Sequence, residues 1–303
     1  MLYVNAKSRV FEVVSRRFES FGIPLVVNQN LIPDDKTTNF VCSGMQQLKS
    51  KFSNPDNTKY GSLQSCVRTN DLELVGDGSH LTYFEMLGNF SFGRNDYEES
   101  VELWDSILKD LQIPVDYITC HPTQDGHQRL WKSRGYIVRP EQTCEWSDGE
   151  IGGFCCEVFV RDLEIGNLVN PLGHSTDVGF GFERLHQVVE NKERVDESSL
   201  FSSHPSYLVR DHERTLCSFW SQGISPGCKN RSFICRRLLR RLLDQIGPED
   251  KFIFQEWIES ERLVREDHLR NAKRCWKRFK DRSPEFWRDT FGLMPEEIKT
   301  LAE

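Results

Sequence analysis

Between residues 9 and 21, Val10, Val13, Val14, Phe18 and Phe21 recur at three- and four-residue spacing while Arg16, Arg17 and Glu19 take the other side. That pattern predicts an amphipathic opening helix, which Gly22 ends. Short apolar runs at 24–27, 39–42, 65–68, 81–92, 117–120, 136–138, 156–160 and 163–169 predict strands. Helical spacing interrupts them at 98–111 and 125–134, and returns at 182–189 directly after a glycine-rich strand. With few helices between many strands, the first two-thirds reads as α+β, a largely antiparallel sheet flanked by helices. Past 195 the pattern turns helical, at 205–223, 229–245, 250–280 and 295–302. The chain is therefore expected to divide into 1–194, a mixed domain, and 195–303, an all-helical one.

Composition supports a folded protein: 38% of the 303 residues are apolar and 11% aromatic, far from the make-up of disordered chains. No run of residues is long and apolar enough to cross a membrane, and the N-terminus lacks the features of a secretory signal, so the expected location is the cytosol. Ten cysteines scattered along such a chain read as reduced thiols. No C-x-x-C pair occurs and Cys155–Cys156 are adjacent, so no zinc is expected. The net charge of −7 is unevenly spread: residues 1–227 carry −11, whereas residues 228–282 carry +7. A basic island in an acidic chain points to a polyanion at that island alone.

Two stretches carry candidate chemistry. Cys66-Val67-Arg68, a polar loop, and Tyr83-Phe84-Glu85-Met86-Leu87-Gly88-Asn89-Phe90 read as strand, loop, strand, with an arginine near aromatic residues. Arginine stabilises charge on a phosphate and a phenylalanine face stacks on a purine, which together suit a nucleoside triphosphate. In Thr176-Asp177-Val178-Gly179-Phe180-Gly181-Phe182-Glu183-Arg184, two glycines admit a ligand close to the backbone before a helix that opens on Glu-Arg. In the basic island, Arg236, Arg237, Arg240 and Arg241 form i, i+4 pairs on the helix at 229–245, with Ile234, Leu238, Leu239 and Leu242 largely on another side.

The G-x-G-x-E-R string resembles motif 3 of the class II aminoacyl-tRNA synthetases, and the hairpin resembles their motif 2. More narrowly, Phe84-Glu85-Met86-Leu87-Gly88-Asn89-Phe90-Ser91-Phe92-Gly93 resembles the catalytic core of the alanyl-tRNA synthetases. Cys66-Val67-Arg68, Asn70-Asp71-Leu72-Glu73, Ser43-Gly44-Met45-Gln46-Gln47, Trp146 and Glu164-Ile165-Gly166-Asn167-Leu168-Val169 add to this likeness. It covers roughly residues 10–245, with a weaker echo at Arg288-Asp289-Thr290-Phe291-Gly292.

The resemblance implies a class II synthetase-like antiparallel sheet that activates alanine with ATP and Mg²⁺ and transfers it to the 3′ end of tRNA. It assigns Arg68, Asp177 and Arg184 to catalysis. Arg68, Phe84, Glu157, Gly181 and Arg184 fall to ATP, with Glu157 also a Mg²⁺ ligand. Met86, Trp146, Asn167, Val169, Asp177 and Gly179 fall to the amino acid. Asn230-Arg231-Ser232-Phe233-Ile234-Cys235-Arg236-Arg237-Leu238-Leu239-Arg240-Arg241 resembles the family's acceptor-stem helix, assigning Asn230, Arg231, Arg236, Arg237, Arg240 and Arg241, with Asp289, to tRNA.

Three departures accompany the likeness. Only Thr69 separates Arg68 from Asn70, where the family has a longer loop with glycines and a lysine; Gly166 replaces a large aromatic, implying a wider amino-acid pocket. The editing and C-terminal oligomerisation domains of full-length members are not matched, so a minimal or paralogous, monomeric form is expected. A tRNA-independent paralogue that passes the acyl group to a carrier, peptide or metabolite stays open beside the ligase, as does an idle RNA-binding relative.

Overall fold

The computed structural model describes residues 8–35, 37–70, 72–147, 149–293 and 295–302. Its first compact unit runs to Asp211 and its second begins at His212. The division therefore falls later than 194. Residues after 194 tie back to the first unit: Val195 N–H donates to Gly78 O, the Tyr207 hydroxyl to His80 O at 2.6 Å, and Thr82 donates from backbone and hydroxyl to the Asp211 carboxylate at 2.8 and 2.6 Å.

Helix α1 (Arg9–Ser20) buries Val10, Val13, Val14 and Phe18, and the Ser8 hydroxyl caps it by accepting from Phe11 N–H. Its Arg17 grips Asp110 at the end of α3 (Tyr97–Asp110) through Nε and Nη2, each at 2.8 Å. Between α1 and α3 lie β1 (Leu25–Asn28), α2 (Lys49–Ser53), β2 (Lys59–Val67) and β3 (Tyr83–Ser91). Then follow β4 (Tyr117–Cys120), α4 (Asp125–Ser133), β5 (Val138–Pro140), β6 (Glu145–Ser147), β7 (Gly152–Val160), β8 (Leu163–Pro171), β9 (Thr176–Gly181) and α5 (Phe182–Val189).

Among the described residues these nine strands form one sheet in the order β1-β2-β3-β9-β8-β7-β4-β5, with β6 paired to β7. Its interior pairs are antiparallel, and only β1–β2 and β4–β5 are parallel. Alternation along each strand gives the sheet two different faces. Leu87, Val178, Phe180, Leu168, Cys156, Val158 and Ile118 point into the main core with α1, α3, α4 and α5. There Trp104 stacks on Phe180 with ring centroids 3.8 Å apart. The opposite face carries Phe84, Met86, Gly181, Gly179, Asp177, Asn167, Val169, Glu157 and Cys155, as the cross-strand register requires.

The apolar run at 39–42 is not a strand. Phe40 and Val41 are buried, and Val41 N–H donates to Leu31 O while its carbonyl accepts from Val67 N–H, outside any ladder of the sheet.

Helix α6 (Tyr207–Ser221) carries the chain into the second unit, which contains α7 (Asn230–Leu243), α8 (Gln255–Phe279), α9 (Pro284–Phe291) and α10 (Pro295–Ala302). Its core includes Ala272, Trp287, Leu293 and Leu301. Helix α9 escapes the periodicity reading, although Ser283 as cap, Pro284 at its first turn and Gly292 at a left-handed φ of 66° are its start and stop signals.

Candidate active site

The polar face of the sheet floors a cleft of about 540 Å³. From β3 come Phe84 and Met86, from β9 Gly179 and Gly181, from β8 Asn167, from β7 Glu157 and from β6 Trp146. Arg68, one residue past β2, and Arg184, in the first turn of α5, stand at its walls. The register explains the convergence: Met86 faces Gly181 across β3–β9, Gly179 faces Asn167 across β9–β8, and Asn167 faces Glu157 across β8–β7.

Arg68 donates through Nε to Cys42 O at 3.0 Å, which fixes its guanidinium 4.9 Å from the centre of the Phe84 ring. Arg184 donates from Nη1 to Glu164 O at 2.6 Å. Arg68 is thus aimed at the cleft by a backbone carbonyl, whereas Arg184 is held by the Glu164 carbonyl and also stands 3.7 Å from the Glu164 carboxylate. A Cβ at 179 would lie 2.6 Å from Met86 Cε, so a larger residue there would displace the tip of that flexible side chain on the cleft floor.

Asp177 follows Gly179 along the same face of β9, between Phe90 of β3 and Val169 of β8. It is 9% exposed, and burial alone pushes its carboxyl up to about 7. A carboxylate so placed gains most from a cation that arrives with the ligand. Val169 is buried beside Cys144, Cys155 and Trp146, forming an apolar wall. The site thus has an aromatic face and two arginines at one end, and an acid with small and apolar neighbours at the other.

The family model described as "tRNA synthetases class II (A)" matches residues 18–167, the segment that builds most of this floor. Alanine--tRNA ligase from Endomicrobium trichonymphae is 33% identical over 75% of this chain and 33% of its own length. The enzyme of that name from Desulfitobacterium hafniense is 30% identical over 75% of this chain and 34% of its own. The chain belongs to the class II tRNA synthetases. It spans about a third of the length of these curated relatives. A solved pyrrolysyl-tRNA synthetase from Desulfitobacterium hafniense is 14% identical, with a TM-score of 0.42 over 67% of this chain and 77% of its own.

Arg68, Phe84, Met86, Trp146, Glu157, Asn167, Gly179, Gly181 and Arg184 all line the one cleft of this synthetase fold, with Val169 and Asp177 on the continuing face. Ser79, His80 and Leu81 line it as well, as do Glu164, Ile165 and Glu183, which stand in the quoted strings without an assigned role. The residues from 79 to 81 arrive on the β2–β3 connection, whose glycines are Gly76 and Gly78 at φ of 125° and 94°. The loop glycines sought next to Thr69 therefore occur farther along. His80 is held there by Asp77, whose carboxyl stays well below its usual range despite partial burial because the backbone N–H groups of His80 and Ser79 and the His80 ring bond it.

One expectation about the pocket changes. Gly166 lines the cleft, yet it pairs with Phe180 and a Cβ at 166 would sit 2.3 Å from that ring, so its missing side chain makes room for core packing. Glu157 offers a cation one carboxylate, which accepts from the Thr119 hydroxyl at 3.2 Å and lies within 4.8 Å of the sulfurs of Cys144 and Cys155. Burial, and then the charge of Glu164, raise the Glu157 carboxyl.

The basic helix α7 divides in two. Arg240 is 2% exposed: its Nε donates to Glu261 at 2.7 Å, its Nη1 to Gly292 O at 2.6 Å, and Glu297 lies 3.5 Å away. It is a core ion-pair residue, withdrawn from the tRNA set by burial and saturation. Arg236 shares Glu261 at 3.1 Å but also lines a groove of about 420 Å³ with Phe233, His268, Arg288 and Thr290. Asn230 is exposed at the helix start, and Arg231, Arg237 and Arg241 are partly exposed. The side chain of Asp289 lies outside the described residues.

Proposed function

We propose that the cleft binds MgATP and a small amino acid, alanine first, and joins them as an aminoacyl-adenylate that is passed to the 3′ end of tRNA. The observation that carries this reading is the sharing of one sheet face by Arg68, Phe84 and Arg184 with Asn167, Gly179 and Asp177. The alanine--tRNA ligase relatives support the choice of amino acid. Magnesium enters with the nucleotide, as charge neutralisation on its phosphates, and no protein ligand is assigned to it.

In this reading Asp177 pairs with the ammonium of the amino acid and Asn167 offers it a hydrogen-bond acceptor, while Trp146 and Val169 limit side-chain size. That leaves the amino acid's carboxylate oxygen to attack the α-phosphorus. The new O–P bond forms as the bond to pyrophosphate breaks. Arg68 and Arg184 stabilise the charge that develops on the phosphate oxygens, and binding both substrates on one rigid floor supplies the alignment. No enzyme nucleophile takes part.

Amino-acid-dependent ATP–pyrophosphate exchange tests the first step. Alanine should support it, and a pocket of this kind should admit glycine and serine with discrimination on the order of 10²-fold. No exchange with any small amino acid, in protein that binds ATP, would refute the reading. A second acceptor has support of its own: with Arg240 buried and Arg236 paired to Glu261, α7 presents a smaller cationic face than its sequence suggests. Acyl transfer measured with and without tRNA separates tRNA from a carrier, peptide or metabolite.

A further inference from the structure

Behind the cleft floor, on the core side of the sheet, two cysteines take no part in that reaction. We propose that Cys156 and Cys120 form a hydroperoxide-reactive modification site, in which Cys156 is oxidised first and Cys120 then closes a reversible disulfide between β7 and β4. Their sulfurs stand 2.7 Å apart, and both are free thiols.

The fold sets the geometry. Cys156 lies directly opposite Cys120 across the antiparallel β4–β7 ladder. Ile118 N–H donates to Ile137 O at 2.8 Å and Cys120 O accepts from Glu141 N–H at 2.9 Å, so the backbone at these alternate positions of β4 is turned away from β7. Cys120 and Cys156 are therefore a non-hydrogen-bonded pair, the closer kind, with Cα atoms about 4.5 Å apart. A disulfide spans that separation, so the two thiols can be joined without parting the ladder. The sequence does not announce the pair, because 36 positions separate its members and β7 sends the adjacent Cys155 to the opposite face.

The surroundings order the two steps. Cys156 meets the Tyr97 hydroxyl, at the start of α3, and the His127 ring, in α4. The Tyr97 hydroxyl and His127 Nδ1 are buried with no hydrogen-bond partner of ordinary geometry among the described residues. Such orphaned groups are costly, and an oxygen placed on the Cys156 sulfur would accept from both. Cys120 Sγ bonds to Cys156 and is placed to attack it. The Tyr97 and His127 rings stack 3.8 Å apart, and both also line a cavity of about 510 Å³ with Glu98, Arg129 and Asn170. They form one layer between that cavity and the fully buried Cys156. A small hydroperoxide passes the edge of such a layer, whereas a tripeptide disulfide does not.

In the first step the Cys156 sulfur attacks one oxygen of the hydroperoxide. An S–O bond forms, the O–O bond breaks, and the other oxygen leaves with the thiol proton as water or an alcohol; sulfur is oxidised to a sulfenic acid and the peroxide is reduced. The Cys120 sulfur then attacks the Cys156 sulfur. The S–S bond forms, the S–O bond breaks, and the hydroxyl leaves as water with the Cys120 proton. A dithiol reductant reverses the bond by exchange.

Hydrogen peroxide added to the reduced, folded full chain, followed by thiol blocking and non-reducing peptide mapping, tests this. One disulfide should link the peptides of Cys120 and Cys156, and dithiothreitol should remove it. Oxidised glutathione should form it on the order of 10-fold more slowly, because access limits exchange. Cys120→Ser should stop at a Cys156 sulfenic acid that dimedone traps, and Cys156→Ser should leave Cys120 unreactive. Tyr97→Phe should slow oxidation of Cys156 by roughly 10-fold, since one hydrogen bond to the reacting sulfur is lost. Circular dichroism checks that each variant folds, and the wild-type peptide map does not depend on the variants. The site is refuted if both thiols survive a peroxide dose that oxidises the exposed Cys228, or if the disulfide joins Cys144 to Cys155 instead. A dimedone adduct on Cys120 in place of Cys156 overturns the order of steps, and equal rates with peroxide and glutathione overturn the path through the cavity. None of these readouts requires adenylate formation, so the failure of one proposal is distinguishable from failure of the other.

Discussion

Asp177 joins stability to binding in one side chain. Its carboxyl, ordinarily near 3.8, stands at about 7 because burial penalises the charge. Between those pH values the folded chain holds a proton that the unfolded chain has released. The contribution to stability is therefore complete below about pH 3.8 and is lost as pH rises through about 7. Asp177→Asn should raise thermal stability at alkaline pH, by at most an amount on the order of 4 kcal/mol, and change it little near pH 4. The same variant should raise KM for the amino acid by roughly 10- to 100-fold, because the ammonium loses its charged partner. In the wild type, KM should climb as pH falls below about 7, since only ionised Asp177 attracts an ammonium. Melting curves across pH and exchange kinetics check these outcomes, and parallel melting curves for variant and wild type would overturn the account. Arg68, Phe84, Asp177 and Arg184 were legible because each lies in a short contiguous string. The cluster of Cys144, Cys155 and Glu157 was not, because it exists only once β6 and β7 pair.

At the scale of elements, alternation along strands was readable and burial along helices was not. The runs at 117–120 and 163–169 became β4 and β8, and residues 182–189 became α5, since period alone decides those cases. Helix α7 shows why periodicity stops short: an arginine stripe reads alike whether water or a carboxylate faces it. The carboxylates come from Glu261 on α8 and Glu297 on α10, beyond any local window. Arg265 also reaches Glu297, at 2.5 Å, so these charges form one network. Removing Arg240 would leave Glu261 to Arg236 and Glu297 to Arg265 in a buried network short of one cation, and Arg240→Ala should destabilise the second unit by at most about 3–5 kcal/mol. Chemical denaturation followed through the tryptophans checks this. A loss below about 1 kcal/mol would mean that Arg240 is no more than a surface pair.

For the whole molecule, the distribution of charge matters more than its sum. The chain is −7 overall and −11 over residues 1–227, so its larger part repels a polyanion, while residues 228–282 attract one with +7. With Arg240 withdrawn into its ion pairs, the exposed or partly exposed cations along that helix and its cap include Lys229, Arg231, Arg237 and Arg241. If about four cations of the island contact phosphates, tRNA affinity should fall on the order of 10²-fold between about 50 and 200 mM salt. The adenylate step should behave differently, because its charges meet inside a cleft where screening reaches less. Raising salt should therefore increase KM for tRNA steeply while alanine-dependent exchange changes by no more than a few-fold. If both fell together, α7 would not be the RNA contact. If transfer to tRNA were flat across the same range, phosphate contacts would not carry its binding.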